Sequence, residues 1–395
     1  MIHHNNQTKN QFISQHHLIH SKKQRENLKR IIFISFFALM GSILILITSA
    51  QTVRRYAVVE PETGAKAGTA TPKVVNDSAA SGGKYIKFDK PTPVATPNPV
   101  PAEKIRRFPG DPNPKLYNKS YWGAGISGNG DPSRHEDPAG KSLSIRRTFF
   151  SWAQATNLNS YMYGIIEDDV SNNRLPFVSI KTASWKDMAD GVYDSEIDTI
   201  LRELDSHGKP VWFTVHHEPE GGGGNNFPDD PGGALQWRRM QTKIRQRMNA
   251  VGTKNIAFMP VLMAYTWSSA SGRNPEDWWV NGVWDAYCVD HYQNSESSST
   301  LVNKTWLDFV SWVEEKGLPY CIGEWGNRGT NTQAGQEMRD FWDWSFANNK
   351  DLIGYAYFDS GLNSPNGSWE LLGEQLNVFR DILKNDTRVQ RVNNL

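Results

Sequence analysis

"VWFTVHHEPEGGGG", residues 211–224, is an apolar run that stops at two histidines and two glutamates, followed by four glycines. A short run rich in Val, Trp and Phe and bounded by glycine reads as a buried strand. Either this strand delivers His216, His217, Glu218 and Glu220 to a reaction site, or they are a solvated strand end above a glycine loop. What decides between the two is the partner that the rest of the chain offers.

Seven other runs share the texture: "YWGAGI" (121–126), "SIRRTFF" (144–150), "LPFVSIK" (175–181), "IAFMPVLMAY" (256–265), "WDAYCVDHY" (284–292), "PYCIGEWG" (319–326) and "LIGYAYFDS" (352–360). With 210–218 they make eight strands. Between the later ones, apolar residues recur at helical spacing over 194–208, 234–252, 301–317 and 333–349. Eight strand–helix units over residues 110–395 match a (β/α)8 TIM barrel in count and size. A doubly wound sheet would need a phosphate turn opening a helix after the first strand. "GAGISGNG" (123–130) looks like such a turn, but "DPSRHEDPAG" after it breaks any helical pattern.

Four segments divide the chain. Residues 1–30 form a basic leader. Residues 31–50, "IIFISFFALMGSILILITSA", are uncharged and long enough to span a bilayer as a helix. Lys22, Lys23, Arg25, Lys29 and Arg30 precede it and only Arg54 and Arg55 follow closely, so the N-terminus stays cytoplasmic and the remainder crosses. The expectation is a single-pass signal anchor with the folded domain outside the cytoplasm; a cleaved signal peptide, giving a secreted protein, is the rival. Residues 51–109, rich in Pro, Ala and Thr, read as a disordered linker, and 110–395 as the barrel.

The net charge is +1, from 43 basic and 42 acidic residues, which gives no field to attract nucleic acid. Fifteen tryptophans stand out, because polysaccharide enzymes use tryptophan faces as sugar platforms as well as core. There is no cluster with metal-ligand spacing and no cofactor motif. The two cysteines, Cys288 and Cys321, are read as buried free thiols. Strand alternation carries that expectation: Cys288 shares phase with Tyr292, whereas Glu324, Ile322 and Tyr320 share a phase that leaves Cys321 on the opposite face.

In a barrel of this kind the reacting groups collect at the carboxyl ends of the strands. Those ends carry Glu218 on the fourth strand and Glu324 on the seventh. Tyr265 and Trp267 follow the fifth, Asp290, His291 and Tyr292 the sixth, and Asp359 the eighth. Two carboxylates facing each other across a cleft are the minimum equipment for glycoside hydrolysis.

A His-Glu at the end of strand four and a Glu-aromatic-Gly at the end of strand seven resemble glycoside hydrolase family 26, a β-mannanase-like family of retaining (β/α)8 enzymes. The segments "HHEPEG" (216–221), "DAYCVDHYQN" (285–294) and "IGEWGN" (322–327) carry the resemblance, which spans roughly residues 115–385. It implies Glu218 as acid/base, Glu324 as nucleophile, Tyr292 as a contact to that nucleophile and His217 beside the acid. Trp267 and Trp325 are read as the better-placed aromatic platforms for substrate. No cofactor is needed for the reaction, and a monomer acting on a polysaccharide is expected, β-1,4-mannan first by family majority, then β-glucan or β-xylan. A non-catalytic carbohydrate-binding protein on the same barrel is the alternative. Two departures bear on substrate: Glu220 stands where the family has a neutral amide, and no tryptophan closes the eighth strand, so Trp369 in the next loop is the substitute.

Alternation also predicts that Trp212, Thr214, His216 and Glu218 point into the barrel while His217 faces the helices, unless the strand end is distorted. The glycines at 221–224 read as a mobile loop over the site. The paired mechanism requires Glu218 to be protonated while Glu324 stays ionised.

Overall fold

The computed structural model describes residues 72–76, 84–88, 106–221, 233–294, 299–361 and 368–394. The leader, the apolar segment 31–50 and the glycines 222–224 lie outside them; among the described residues no helix is long and apolar enough to cross a membrane. The chain forms two units, Met1–Thr96 and Pro97–Leu395.

In the first unit, β1 (Pro72–Asn76) pairs antiparallel with β2 (Lys84–Phe88), Val74 opposite Ile86 and Val75 opposite Tyr85. Both strands fall within the stretch expected to be disordered. "KVV" and "KYIKF" are short β-branched and aromatic runs, which favour strands, and the average composition of residues 51–109 conceals them.

Among the described residues the second unit contains nine parallel strands: β3 (Tyr121–Ile126), β4 (Ile145–Phe150), β5 (Leu175–Ile180), β6 (Val211–Val215), β7 (Ile256–Phe258), β8 (Val261–Met263), β9 (Tyr287–Tyr292), β10 (Tyr320–Gly326) and β11 (Leu352–Asp359). Their order in the sheet is β7-β6-β5-β4-β3-β11-β10-β9-β8. The two edges are successive pieces of one run, the fifth strand, interrupted at Met259-Pro260. The Met259 N–H donates to Phe213 O on one side, and Pro260 O accepts from the Cys288 N–H on the other. The sheet therefore curls back on itself, as in a (β/α)8 fold.

Helices Asp194–Ser206, Gly233–Val251, Lys304–Glu315 and Thr332–Ala347 coincide with the periodic stretches to within a few residues. Helices Tyr161–Ser171, Trp185–Asp190 and Gly373–Asn385 were not read from the pattern. "DPSRHEDPAG", taken as a chain break, contains a seven-residue helix, Ser133–Ala139, with Pro138 in its last turn. A proline this close to the end of so short a helix removes little hydrogen bonding.

Packing divides into two layers, as alternation requires. Val211, Phe213, Val215, Tyr320, Ile322 and Trp325 belong to the cluster that meets the helices. Trp212, Tyr121, Phe177, Met259, Val261, Cys288 and Cys321 fill the barrel interior. Edge-to-face contacts of Trp212 with Tyr121 (5.2 Å) and Phe177 (5.7 Å) stopper that interior. A floor of this kind makes the polar residues above it the bottom of a cleft rather than of a pore.

Cys288 and Cys321 are joined in a disulfide, with Cα atoms 4.5 Å apart. The expectation of free thiols fails because the phase argument ran through an irregularity. Cys321 is directly opposite Cys288, and the β9–β10 register shifts between Ile322 and Glu324. Gly323 is the extra residue. A Cβ there would stand 2.6 Å from Val261 Cγ1 and 2.9 Å from Asp290 Oδ1, so only glycine fits. The bulge turns both Cys321 and Glu324 inward.

The bond closes a sequence separation of 33 residues, for which chain entropy gives a stabilisation of about 3–4 kcal/mol. Thiol titration of the denatured, unreduced chain should find no free thiol, and reduction should lower the urea midpoint accordingly; two titratable thiols would contradict the pairing.

Candidate active site

β6 ends at Val215, three residues short of the strand read from the sequence. His216 and Glu218 then adopt left-handed backbone, with φ of 58° and 49°. Such conformations in non-glycine residues cost on the order of 1–3 kcal/mol each and persist only when the surroundings enforce them. Here the His216 N–H is held by Ile180 O at 2.8 Å and the Glu218 N–H by Val261 O at 2.7 Å. The Lys181 ammonium donates to His217 O at 2.7 Å.

This turn reverses the two histidines relative to strand alternation. His216 packs edge-on against Trp185 on the helix side, where the Trp185 indole N–H donates to its Nδ1 at 2.8 Å; burial pushes its pKa down to about 2. His217 faces the cleft, its Nδ1 2.7 Å from Ser179 Oγ and its ring against Phe149, and burial holds it neutral.

A cavity of about 450 Å³ at the barrel mouth is lined by Lys181, His217, Glu218, Glu324, Phe149 and Phe358, among others. A second, of about 210 Å³, is lined by Glu218, Tyr265, Asp290 and Tyr292. Glu218 belongs to both, so it stands where the two lobes meet.

Glu324 is buried, and its Oε2 accepts a 2.9 Å hydrogen bond from the Tyr292 hydroxyl. Burial raises its pKa, while the Arg147 charge, that hydrogen bond and the Lys181 charge pull the other way. Glu218 is pushed up to about 7, first by burial and then by the charge of Glu324, with Lys181 opposing.

Asp290 is the third carboxyl. Burial, then Glu324 and Glu218, hold it well above the usual carboxylate range. It faces Glu218 and receives no hydrogen bond from any donor group among the described residues. Two carboxyls in such contact require a proton on one of them, and the burial assigns it to Asp290.

Beneath them lies Arg147, fully buried, its guanidinium 4.3 Å from the Phe177 ring centre and 4.8 Å from that of Phe149. None of its three nitrogens finds a hydrogen-bond partner among the described residues, so the carboxyls compensate it through space alone.

The two tryptophans expected as platforms do not reach either cavity. Trp267 is 7% exposed and packs on Phe309 (4.9 Å) and Trp312 (5.2 Å), in a short turn facing the Lys304–Glu315 helix. Trp325 is 0% exposed, between Tyr357 (4.9 Å) and Phe341 (5.4 Å). Being next to Glu324 in a strand places it on the opposite face. The aromatic walls are instead Phe149 and Phe358 on one side and the exposed Tyr265 on the other. Trp369 does reach the site indirectly: its ring packs on Tyr292 at 4.8 Å.

Lys181 and Arg147 were missed as site residues. Each is a cation in or at the end of an apolar strand, in "VSIK" and "SIRRTFF", and a cation facing inward on a strand was the available signal.

Glu220 leaves the cavities altogether. Its Oε1 accepts from the Met263 N–H (3.0 Å) and Thr266 hydroxyl (2.7 Å), and Arg273 binds the Glu220 and Gly221 carbonyls. It ties the loop after β6 to the loop after β8, outside both cavity linings.

Burial raises the Glu220 pKa from 4.5 to about 8. Its contribution to stability is therefore complete below pH 4.5, declines as pH rises through that window, and is lost above about 8. Glu220→Gln keeps the accepting oxygen and removes the titration. Its urea midpoint should change less between pH 5 and pH 8 than that of the wild type, and equal slopes would sink this account.

No protein-family model matches the sequence, and no curated protein sequence matches it. Solved structures of glycosidases resemble its fold at low identity. A Bacillus subtilis mannanase is 16% identical over 72% of this chain and 95% of that one, with a TM-score of 0.47. A β-mannanase from a symbiotic protist of the termite Reticulitermes speratus, complexed with a gluco-manno-oligosaccharide, is 12% identical over 73% and 98%, with a TM-score of 0.49. Fungal β-1,4-galactanases are similar at 12% identity over 69% and 98%, with a TM-score of 0.48.

Proposed function

We propose that this chain is a retaining endo-β-glycosidase of polysaccharides, with Glu218 as acid/base and Glu324 as nucleophile. One observation carries the reading: the two glutamates line a single cavity, where Tyr292 donates a hydrogen bond to Glu324 while burial and the Glu324 charge push Glu218 up to about 7. Glu324 attacks the anomeric carbon while Glu218 gives its proton to the departing glycosidic oxygen. The glycosyl ester removes the negative charge of Glu324, so Glu218 stays ionised and takes a proton from water as that water displaces the ester. Tyr292 holds the attacking oxygen in place.

Internal cleavage is favoured by the position of Glu218 between two lobes, which leaves room for sugar on both sides of the scissile bond. β-1,4-mannan is the first substrate expected, followed by β-glucan and β-xylan. We place the enzyme outside the cytoplasm, tethered by residues 31–50; the Cys288–Cys321 disulfide suits an oxidising compartment.

Reducing-sugar release from these three polysaccharides, with the anomer of the first product followed by NMR, should give hydrolysis with retention. Glu324→Ala should fall to background, and Glu218→Ala should lose about 10²–10⁴-fold. As Glu218 must carry a proton, kcat/KM should decline as pH rises through about 7. An active Glu324→Ala variant, or inversion, would refute the assignment; binding without hydrolysis would identify a carbohydrate-binding protein instead.

A further inference from the structure

The proposed reaction leaves one charged group of the cavity without a role. Lys181 follows β5 directly, and its backbone N–H still donates to Phe150 O at 2.8 Å. The side chain lines the larger cavity together with Glu218 and Glu324, and its Nζ donates to His217 O at 2.7 Å. That carbonyl belongs to the residue between the two left-handed ones, His216 and Glu218. A single ammonium therefore holds the centre of the turn that carries Glu218.

Charged and titratable groups face this ammonium from four strands. Glu218 approaches from the end of β6, Glu324 from β10, Asp290 from β9 and the cationic Arg147 from β4. His216 and His217 adjoin it and are held neutral, first by burial and then by the Lys181 charge. Of these groups, Glu324 loses its charge by forming the ester, and Glu218 is the one that gives up and regains a proton during turnover.

We propose that Lys181 is a positioning residue for the acid/base: it clamps the His217 carbonyl, fixing the strained turn that presents Glu218, and it is the countercharge that accepts Glu218 as a carboxylate once its proton has gone to the leaving group. This inference rests on the proposed glycosidase reading. It explains why a lysine, rather than a neutral donor, satisfies one backbone carbonyl. Asp290 opposite Glu218 holds its own proton, and the negative charge of Glu324 is lost in the glycosyl ester. The ionised Glu218 then faces Lys181 with no competing carboxylate nearby. The burial that pushes the Lys181 pKa down to about 8 leaves it protonated at neutral pH.

The test uses the full chain with Lys181→Gln, which keeps a donor for the His217 carbonyl but no charge; Lys181→Met, which keeps neither; and Lys181→Arg, which keeps both. The first readout needs no substrate. Carboxyl-¹³C-labelled glutamate is titrated by NMR, and the Glu218 resonance is assigned by its loss in Glu218→Gln. With the charge removed, the Glu218 midpoint should rise by about one pH unit or more in Lys181→Gln and Lys181→Met, and stay near wild type in Lys181→Arg. On the polysaccharide that the wild type cleaves, the basic limb of kcat/KM should move upward by the same amount, with kcat lowered in both neutral variants and largely restored by arginine. An unmoved Glu218 midpoint in folded Lys181→Gln overturns the proposal, as does an equal loss of activity in all three variants with unchanged pH profiles. If the wild type cleaves none of the polysaccharides, the glycosidase reading falls, while the titration still decides whether Lys181 sets the charge of Glu218.

Discussion

Three carboxyl groups at the mouth of one barrel cannot all be ionised at close range, and the site is arranged around that constraint. Glu218, Asp290 and Glu324 meet there from three different segments; after burial, the Glu324 charge raises the pKa of both Glu218 and Asp290, and Glu218 raises that of Asp290. Arg147 from below and Lys181 from the side supply the opposing charge. Arg147 is notable for what it lacks: with no hydrogen-bond partner among the described residues, its guanidinium rests on the faces of Phe149 and Phe177. A buried charge is tolerable only when something compensates it. Ring faces and nearby carboxylates do so without fixing a bidentate pair, which would have tied one carboxylate permanently to the arginine. Glu324 takes its directed hydrogen bond from Tyr292 alone among the described residues.

Regular strands would not have brought these groups together. Both glutamates sit immediately after a break in alternation: Glu324 after the Gly323 bulge, Glu218 within a turn of two left-handed residues. Each break is over-determined by its neighbours. Packing too close for a Cβ enforces the bulge, and backbone bonds to Ile180 and Val261, with the Lys181 clamp, enforce the turn. Backbone strain here has a direct product, which is His217 and Glu218 side by side in the cleft instead of on opposite faces.

The same two breaks mark the limit of what the sequence discloses. Eight apolar runs were enough to place the strands, because buried parallel strands are near-continuous hydrophobic segments. Their carboxyl ends were enough to pair Glu218 with Glu324. Alternation then failed in the last few residues, making His216 inward and Cys321 outward, since counting by two cannot detect a bulge. The tryptophan expectation failed for a related reason. Trp325 adjoins Glu324 in β10, and adjacency in a strand separates side chains onto opposite faces. The helices after the early strands were obscured by Gly164 in one and by Pro138 in another, features that tertiary packing overrides.

The absence of a tryptophan at the end of the eighth strand is met by a longer-range arrangement. Trp369 returns from the loop after β11 and lies against Tyr292 at 4.8 Å, with the Arg328 guanidinium 3.4 Å from its ring centre. Phe358 packs edge-on to Tyr292 at 6.2 Å. Gly326 makes the stack feasible, because a Cβ there would come within 2.6 Å of the Trp369 ring. The Tyr292 ring is thereby held between neighbours, and its hydroxyl is directed at Glu324. Below it, the Cys288–Cys321 bond joins the strand that bears Tyr292 to the strand that bears Glu324. The one hydrogen bond that distinguishes Glu324 from its two fellow carboxyls is thus fixed twice, covalently beneath the site and by an aromatic stack beside it.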